Sequence, residues 1–382
     1  MRPRGARGIA RAGAERRLMA VPGTPSAATP AATTTISDVA KQAGVSIKTV
    51  SRVMNHEPGV RQDTRDKVLQ VMAELRYRPS QSARSLAGAR SFLIGLLYFD
   101  PSAAFVSGVQ QGATMRCREA GYHLVVESMD NDAHDLGEQV HLVVSTLRPD
   151  GMILTPPLCD NPHVLKALHD SGTPTVLVSP ARQRKDMPSV RMDDVHAAEE
   201  ITNLLLSLGH RRIAFIRGAS DQAASALREQ GFVKAMKAAR AEIAPELVID
   251  GDFRFESGVA ATHQLLKLRH HPTAVFASND DMALGVLAAA QRQGLAVPGD
   301  LAIAGFDDSP ASALVWPPLT TMRQPTVAMA RAAVDLLIGT PTVEGTPGMR
   351  TTAAVQRVLP HELIVRDSTS APARAARRTP RG

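Results

Sequence analysis
The sequence predicts an all-α helix-turn-helix head followed by an α/β body of two doubly wound parallel-sheet subdomains. Three observations carry this. Residues 35–55 hold two short amphipathic segments around a turn at Ala43-Gly44-Val45. From Ser91 onward, short apolar strand-like runs alternate with helical patterns, as parallel sheets covered on both faces require. Charge is partitioned as +5 over residues 1–18, +5 over 35–90, −7 over 91–370 and +4 over 371–382. A basic front on an acidic body fits a polyanion-binding module joined to a body that avoids polyanions.

The 382 residues exceed a typical domain of about 100–200 residues, so more than one unit is expected. Residues 1–34 are rich in Ala, Pro, Thr, Gly and Arg without apolar periodicity and are read as a disordered extension, with translation starting at Met1 or Met19. Residues 368–382 read the same way. No apolar run approaches a membrane span, and the basic start lacks the apolar core of a secretory signal. Cys117 and Cys159 form no disulfide framework and are expected as small buried residues, which makes the cytoplasm the expected compartment.

In the head, Thr35 and Asp38 have capping-box form at the start of the first helix. Gly44 supplies the backbone freedom of the tight turn. Ser46 is a suitable N-cap for the second helix and places Ile47, Lys48 and Thr49 in its first turn, where a helix-turn-helix touches base edges. Ser51, Arg52 and Asn55 share that exposed face, while Val50, Val53 and Met54 point inward. Arg52 can form a bidentate pair with guanine, Lys48 can reach guanine or phosphate, and Ile47 can touch a thymine methyl. A third helix is expected near Gln62–Leu75, with Thr64 in its first turn as a further DNA-contact candidate.

In the body, strands are expected at Leu93–Tyr98, His123–Glu127, Gly151–Leu154, Thr175–Val178, Ile213–Arg217, Leu247–Gly251, Ala274–Ala277 and Leu301–Gly305. Helices fill the gaps, among them Ser107–Ala120, Ala197–Ser207 and Asp281–Gln293. Eight units exceed one small sheet and divide naturally between two lobes. Ligands of such folds bind beyond the strands' carboxyl ends, so the cleft between lobes is the expected site.

The stretch TISDVAKQAGVSIKTVSRVMN resembles the head of the LacI/GalR family of bacterial transcription regulators. The resemblance runs over about residues 35–367, through YRPSQSARSLAGARS, IGLL, SLGHRRIAFI, FASNDDMALG, VPGDLAIAGFDDSP, PPLTTMRQP and ELIVRDST in the family's order. It implies a head at 35–78, a hinge helix and linker at 79–90, and a periplasmic-binding-protein-like body at 91–367. The first lobe would be about 91–190 plus 321–340, and the second about 191–320 plus 341–367. In the family the hinge helix forms when two chains meet on operator DNA, and a leucine wedges into the minor groove and kinks the duplex. Leu86 matches that leucine, Ala83 its neighbour, and Tyr77 and Ser80 phosphate-contacting positions. Two departures concern the head: Ser80 stands where Asn is usual, and Arg61 replaces the usual serine cap of the third helix.

The resemblance also implies a small-molecule effector, most often a sugar. Arg228, Asn279 and Asp307 match effector-contacting polar positions, and Phe253 an aromatic one. Phe105, in the first strand–helix loop, would supply an aromatic from the opposite lobe, with Asp100 beside it as a weaker candidate. Trp316 either lines the cleft or packs at the crossover between lobes. Ser179 stands where one member places a sugar-contacting aspartate, so that member's ligand does not transfer directly. Residues 318–325, LTTMRQPT, match the segment in which the chain returns to the first lobe.

The implied partners are duplex operator DNA, a small-molecule effector and a second copy of the chain, since no leucine heptads follow Val365 to build a tetramer. No cofactor, metal or membrane partner is expected. The alternatives are a regulator answering a nucleoside or purine, and a sugar-binding protein without DNA activity. An enzyme is disfavoured: the chain has no phosphate-binding glycine loop, no nucleophile elbow and no metal-ligand spacing. The adjacent pairs Asp280-Asp281 and Asp307-Asp308 suit capping better than acid–base work.

Overall fold
A computed structural model describes residues 34–54, 57–77, 90–99, 103–130, 134–339 and 354–370. Asn55, Ser80, Ala83, Leu86 and Asp100 lie outside the described residues, as do most of the two terminal segments and the expected hinge. The chain divides into two compact units, residues 1–80 and 81–382, and each is described by itself.

The first unit contains α1 (Ile36–Ala43), α2 (Ile47–Met54) and α3 (Gln62–Glu74). Thr35 and Asp38 form the reciprocal capping box, and Gly44 ends α1 with φ 67°, a left-handed conformation that a side chain would strain. Ser46 Oγ accepts the Thr49 N–H at 3.1 Å, capping α2 as its sequence requires. Arg61 precedes α3 and makes no side-chain cap, while Asp63 places a carboxylate in the first turn. Val39, Ala43, Val50, Val53 and Val68 close a small core that also takes in Tyr77.

The second unit is the two-lobed α/β body. The first lobe is a six-stranded, all-parallel sheet in the order β11-β5-β4-β3-β1-β2. Its strands are β1 (Leu93–Tyr98), β2 (His123–Ser128), β3 (Gly151–Leu154), β4 (Thr175–Val178), β5 (Ser189–Arg191) and β11 (Gln356–Val358). The central strands β3 and β4 are buried along their whole length, as uninterrupted apolar runs demand. Helices α4 (Ala103–Glu119), α5 (Leu136–Leu147), α6 (Pro162–Asp170) and α12 (Thr326–Ile338) accompany this sheet.

The second lobe has the order β7-β6-β8-β9, again parallel, with β6 (Ile213–Ile216), β7 (Val248–Ile249), β8 (Ala274–Ala277) and β9 (Ala302–Ala304). Its helices are α7 (Asp194–Ser207), α8 (Ala223–Ala238), α9 (Phe255–Leu265), α10 (Asp280–Arg292) and α11 (Pro310–Leu314). Each sheet has apolar clusters on both faces, so each lobe is a three-layer sandwich with its own core. Both lobes begin with the same strand order, second-first-third-fourth, which puts a topological switch point beside the first strand of each. An antiparallel ribbon of β10 (Thr321–Arg323) and β12 (Glu362–Ile364) carries crossing segments of the chain.

Three expectations need correction. Residues 341–367 do not all belong to the second lobe, because β11 adds to the first-lobe sheet beside β5. The helix expected to start at Ser107 starts at Ala103, so Phe105 lies in its first turn rather than in a loop. The short polar strands β5, β10, β11 and β12 were not expected, since three-residue segments carry no readable apolar alternation.

Candidate functional site
The head exposes a compact polar face on α2. Ser46, Ile47, Lys48 and Arg52 are exposed, Thr49 and Ser51 are half-buried beside them, and Val50 and Val53 turn inward. Ile47 is notable for an apolar residue: it is 50% exposed, held at the surface by its place in the first turn. Arg52 meets Glu57 at 3.6 Å across open solvent, a pair worth at most about 1 kcal/mol and easily surrendered to a stronger acceptor. Thr35 is exposed at the N-terminus of α1, and Thr64 is half-buried in α3. Tyr77 is different: only 8% exposed, it is largely a member of the head's core, and burial raises its hydroxyl pKa. The first turn of α2 thus carries exposed hydroxyl and ammonium donors beside the Ile47 side chain, as a helix that enters a groove by its N-terminus requires.

In the body, a cavity of about 370 Å³ opens where the carboxyl ends of both sheets face each other. Phe99, Phe105, Pro156 and residues 179–183 line it from the first lobe, and Arg228, Phe253, Asn279 and Asp307 from the second. Six of the expected effector residues are therefore brought together: Phe105, Ser179, Arg228, Phe253, Asn279 and Asp307. Trp316 is not among them. It is 80% exposed on the surface after α11, so of its two expected placements the cleft is excluded.

Arg228 organises the second-lobe wall. Its Nε donates to Asp194 Oδ1 at 3.0 Å and its Nη1 to the Ser278 carbonyl at 2.5 Å. Its guanidinium lies 3.7 Å from the centre of the Phe306 ring, a close cation–π contact in a buried setting. Asp307 Oδ1 stands 3.9 Å from Arg228 Nη1 and accepts Gln324 Nε2 at 2.5 Å. Burial pushes the Asp307 carboxyl up to about 7 against the opposing pull of Arg228. Behind it, Asp280 accepts Thr321 Oγ1 at 2.6 Å and the Ser309 N–H at 2.7 Å. Burial, then the nearby Asp307 charge, raises Asp280 to about 8.

Asn279 caps α10 by accepting the Met282 N–H at 3.0 Å and donates to the Phe253 carbonyl at 2.8 Å. The cap and the cavity wall are thus the same residue. Phe253 reaches the cavity from a left-handed backbone, φ 69°, and Gly218 makes room for its ring, because a Cβ there would collide with it. Ser179 (φ 52°) and Asp307 (φ 126°) share this unfavourable backbone region. Three strained non-glycine residues around one cavity is the pattern of a site whose side-chain directions are held by the surrounding fold.

Sequence reasoning missed Asp194, Gln222 and Gln324, which also line the cavity. Asp194 opens α7, and the expected start of that helix at Ala197 left it in a loop. Gln324 sits in the crossover segment 318–325, whose sequence marks a return of the chain and carries no local signal of a ligand contact. Gln222 precedes α8, and its Nε2 is buried without a hydrogen-bond partner among the described residues. A donor left unsatisfied at a cavity wall is completed by a ligand acceptor or by water.

A helical head with an exposed polar recognition face and a two-lobed body around a largely apolar cavity with a few fixed polar groups define a ligand-binding regulatory protein. The comparisons give its family. Residues 35–80 match the profile of the bacterial regulatory proteins of the lacI family, and residues 202–369 that of the periplasmic binding protein-like domain. Catabolite control protein A of Priestia megaterium is 33% identical over 341 residues, covering 88% of this chain and 99% of that relative. The ribose operon repressor of Escherichia coli K12 is 35% identical over 307 residues, covering 80% and 92%. Among solved structures, the lac repressor dimer bound to operator and the anti-inducer ONPF aligns with a TM-score of 0.73 at 29% identity, over 88% of this chain and 99% of that one. A complex of the transcriptional regulator CelR with cellobiose aligns at 0.65 and 31% identity, over 88% and 100%. The chain belongs to the LacI family of transcriptional regulators, and not to a family of enzymes. Among the described residues no helix is long and apolar enough to cross a membrane.

Proposed function
We propose that this chain is a ligand-responsive repressor of carbohydrate uptake or catabolism genes, acting in the cytoplasm as a homodimer on a near-palindromic operator. The observation that carries the reading is the cavity wall: Arg228 held between Asp194 and Asp307, with Asn279 and Gln222 beside it and Phe105 and Phe253 from opposite lobes. Fixed donors and acceptors suit vicinal hydroxyls, and aromatic faces suit the C–H surface of a sugar ring. The solved neighbour carrying cellobiose and the ribose operon repressor support a sugar class.

On DNA, Ile47, Lys48 and Arg52 read bases, while Thr35, Ser46, Thr49, Ser51 and Thr64 position the head on phosphates. Twofold symmetry of the dimer would impose a near-palindromic operator. Leu314 and Trp316, 84% and 80% exposed, are apolar surface that a second copy would cover. The effector acts only through its different affinity for the two lobe arrangements.

The test is a thermal-shift screen of the full chain against mono-, di- and oligosaccharides, with nucleosides and purine bases as the contrasting set. A ligand at ~100 times its dissociation constant adds about 2.7 kcal/mol. A sugar that stabilises the protein and changes its footprint on its own promoter supports the reading. Stabilisation by purines alone would move the chain to the purine-responsive branch.

A further inference from the structure
The helix α7 carries a second group of polar side chains, away from the cavity-lining residues. His196 and Glu200 stand one turn apart on it, and His361, from the link between β11 and β12, meets them. His196 Nε2 is 3.1 Å from Glu200 Oε1, and His361 Nε2 is 3.4 Å from the same oxygen. The three ligand atoms lie within 4.8 Å of one another. Zinc–nitrogen and zinc–oxygen bonds of about 2.0–2.2 Å separate tetrahedral ligands by roughly 3.4 Å, so small side-chain rotations bring all three onto one ion.

Two further features fit a metal. Glu199 Oε2 stands 3.9 Å from Nδ1 of His196, too far for a hydrogen bond but on the side from which a carboxylate could orient a ligating imidazole after a small rotation. Glu199 is itself held by Lys234 at 2.7 Å. The His361 side chain is only 9% exposed and meets the His196 ring edge-on, with centroids 5.5 Å apart, so it is seated rather than free in solvent. His196 is 59% exposed, which leaves a fourth position open to water.

We propose that His196, Glu200 and His361 form a site for a divalent transition metal of the zinc class. Two imidazoles and one carboxylate suit a borderline ion rather than calcium or magnesium, which take oxygen ligands. A bound ion would fasten α7 to the chain segment returning from the first-lobe sheet. Because α7 opens at Asp194, which holds Arg228, the ion would brace the wall of the ligand cavity. The sequence conceals this group, since only His196 and Glu200 are near neighbours along the chain.

The experiment is titration of the untagged full-length protein with cobalt(II) and then zinc(II), alongside His196→Gln, His361→Gln and the double variant. The wild type is expected to bind one ion per chain, with the visible band of low-symmetry cobalt that zinc then displaces. Each single variant should lose at least about 10-fold in affinity. Zinc should raise the melting temperature of the wild type but not of the double variant. Equal binding by wild type and double variant overturns the proposal. So does the absence of saturable binding by the wild type, which would make the group a pair of histidines sharing a carboxylate. His196→Gln, at an exposed position, decides the matter if His361→Gln fails to fold.

Discussion
Arg228 Nε and Asp194 Oδ1 meet at 3.0 Å, and both side chains are more than nine-tenths buried. The pair joins α8 to the first residue of α7 at the wall of the ligand cavity. A buried ion pair of this kind costs little while intact and much when halved, because the remaining charge has no partner.

Arg228→Ala is therefore expected to abolish effector response while leaving operator binding in place. It should also destabilise the body by about 3–5 kcal/mol, because Asp194 and Asp307 lose their counter-charge. Urea unfolding and an induction curve measured together test this. An unchanged induction curve removes Arg228 from the site.

Gln222→Ala should lower ligand affinity without breaking a side-chain hydrogen bond of Nε2 within the protein. The buried Nε2 has no partner among the described residues, so it is free to donate to a ligand. Ligand affinity should fall by about 0.5–1.5 kcal/mol as one hydrogen bond is lost. Calorimetry with the sugar found by screening measures the loss. A variant that binds normally places Gln222 outside the contact set.

Asp280 and Asp307 give the body a distinctive pH dependence. Both folded-state pKa values lie above the ordinary carboxylate value of about 3.9, with Asp280 near 8. Through this window the native state keeps protons that the unfolded chain has released, so stability is present on the acid side and falls as pH rises. Asp280→Asn retains an acceptor for the Ser309 N–H and should flatten that decline. Melting temperatures across the window check it, and an unaltered slope assigns the effect elsewhere.

Arg52→Ala should eliminate footprinting at protein concentrations that saturate the wild type, with effector binding untouched. The loss of one bidentate base contact is worth about 1–3 kcal/mol at its base pair. A normal footprint at wild-type concentration would displace Arg52 from the reading face.

A Leu314→Glu, Trp316→Glu double variant should shift the dimer toward monomer in light scattering without changing ligand affinity. Charges on a covered apolar patch oppose association, whereas Trp316 does not line the cavity. A variant that remains dimeric places the interface on another surface.

The head was largely legible because its determinants are local. Thr35 and Asp38, Gly44 and Ser46 each act within four residues of themselves, so their spacing states their geometry. Arg228, Asn279 and Asp307 were singled out by the family resemblance, and the structure sets all three on one cavity wall. Asp194 and Gln324 were not, since they reach the cavity through a helix start and a crossover that only the closed topology brings near. Trp316 stayed open between two placements for a related reason: its neighbouring prolines mark a crossover, but nothing in the local pattern says which way its side chain faces. The strand β11 was hidden because three residues, Gln356, Arg357 and Val358, carry no period that distinguishes a sheet edge from a loop.

Asp307 binds the crossover three times: its N–H donates to the Met322 carbonyl at 2.8 Å, its carbonyl accepts the Gln324 N–H at 3.4 Å, and its carboxyl accepts the Gln324 side chain. A residue on the ligand cavity is thus fastened directly to the strap on which the lobes would pivot. No relay of intervening side chains is needed to carry news of occupancy. A ligand hydroxyl that displaced Gln324 from that carboxyl would alter the strap in the same act as binding, so recognition and transmission would be two readings of a single hydrogen-bond exchange.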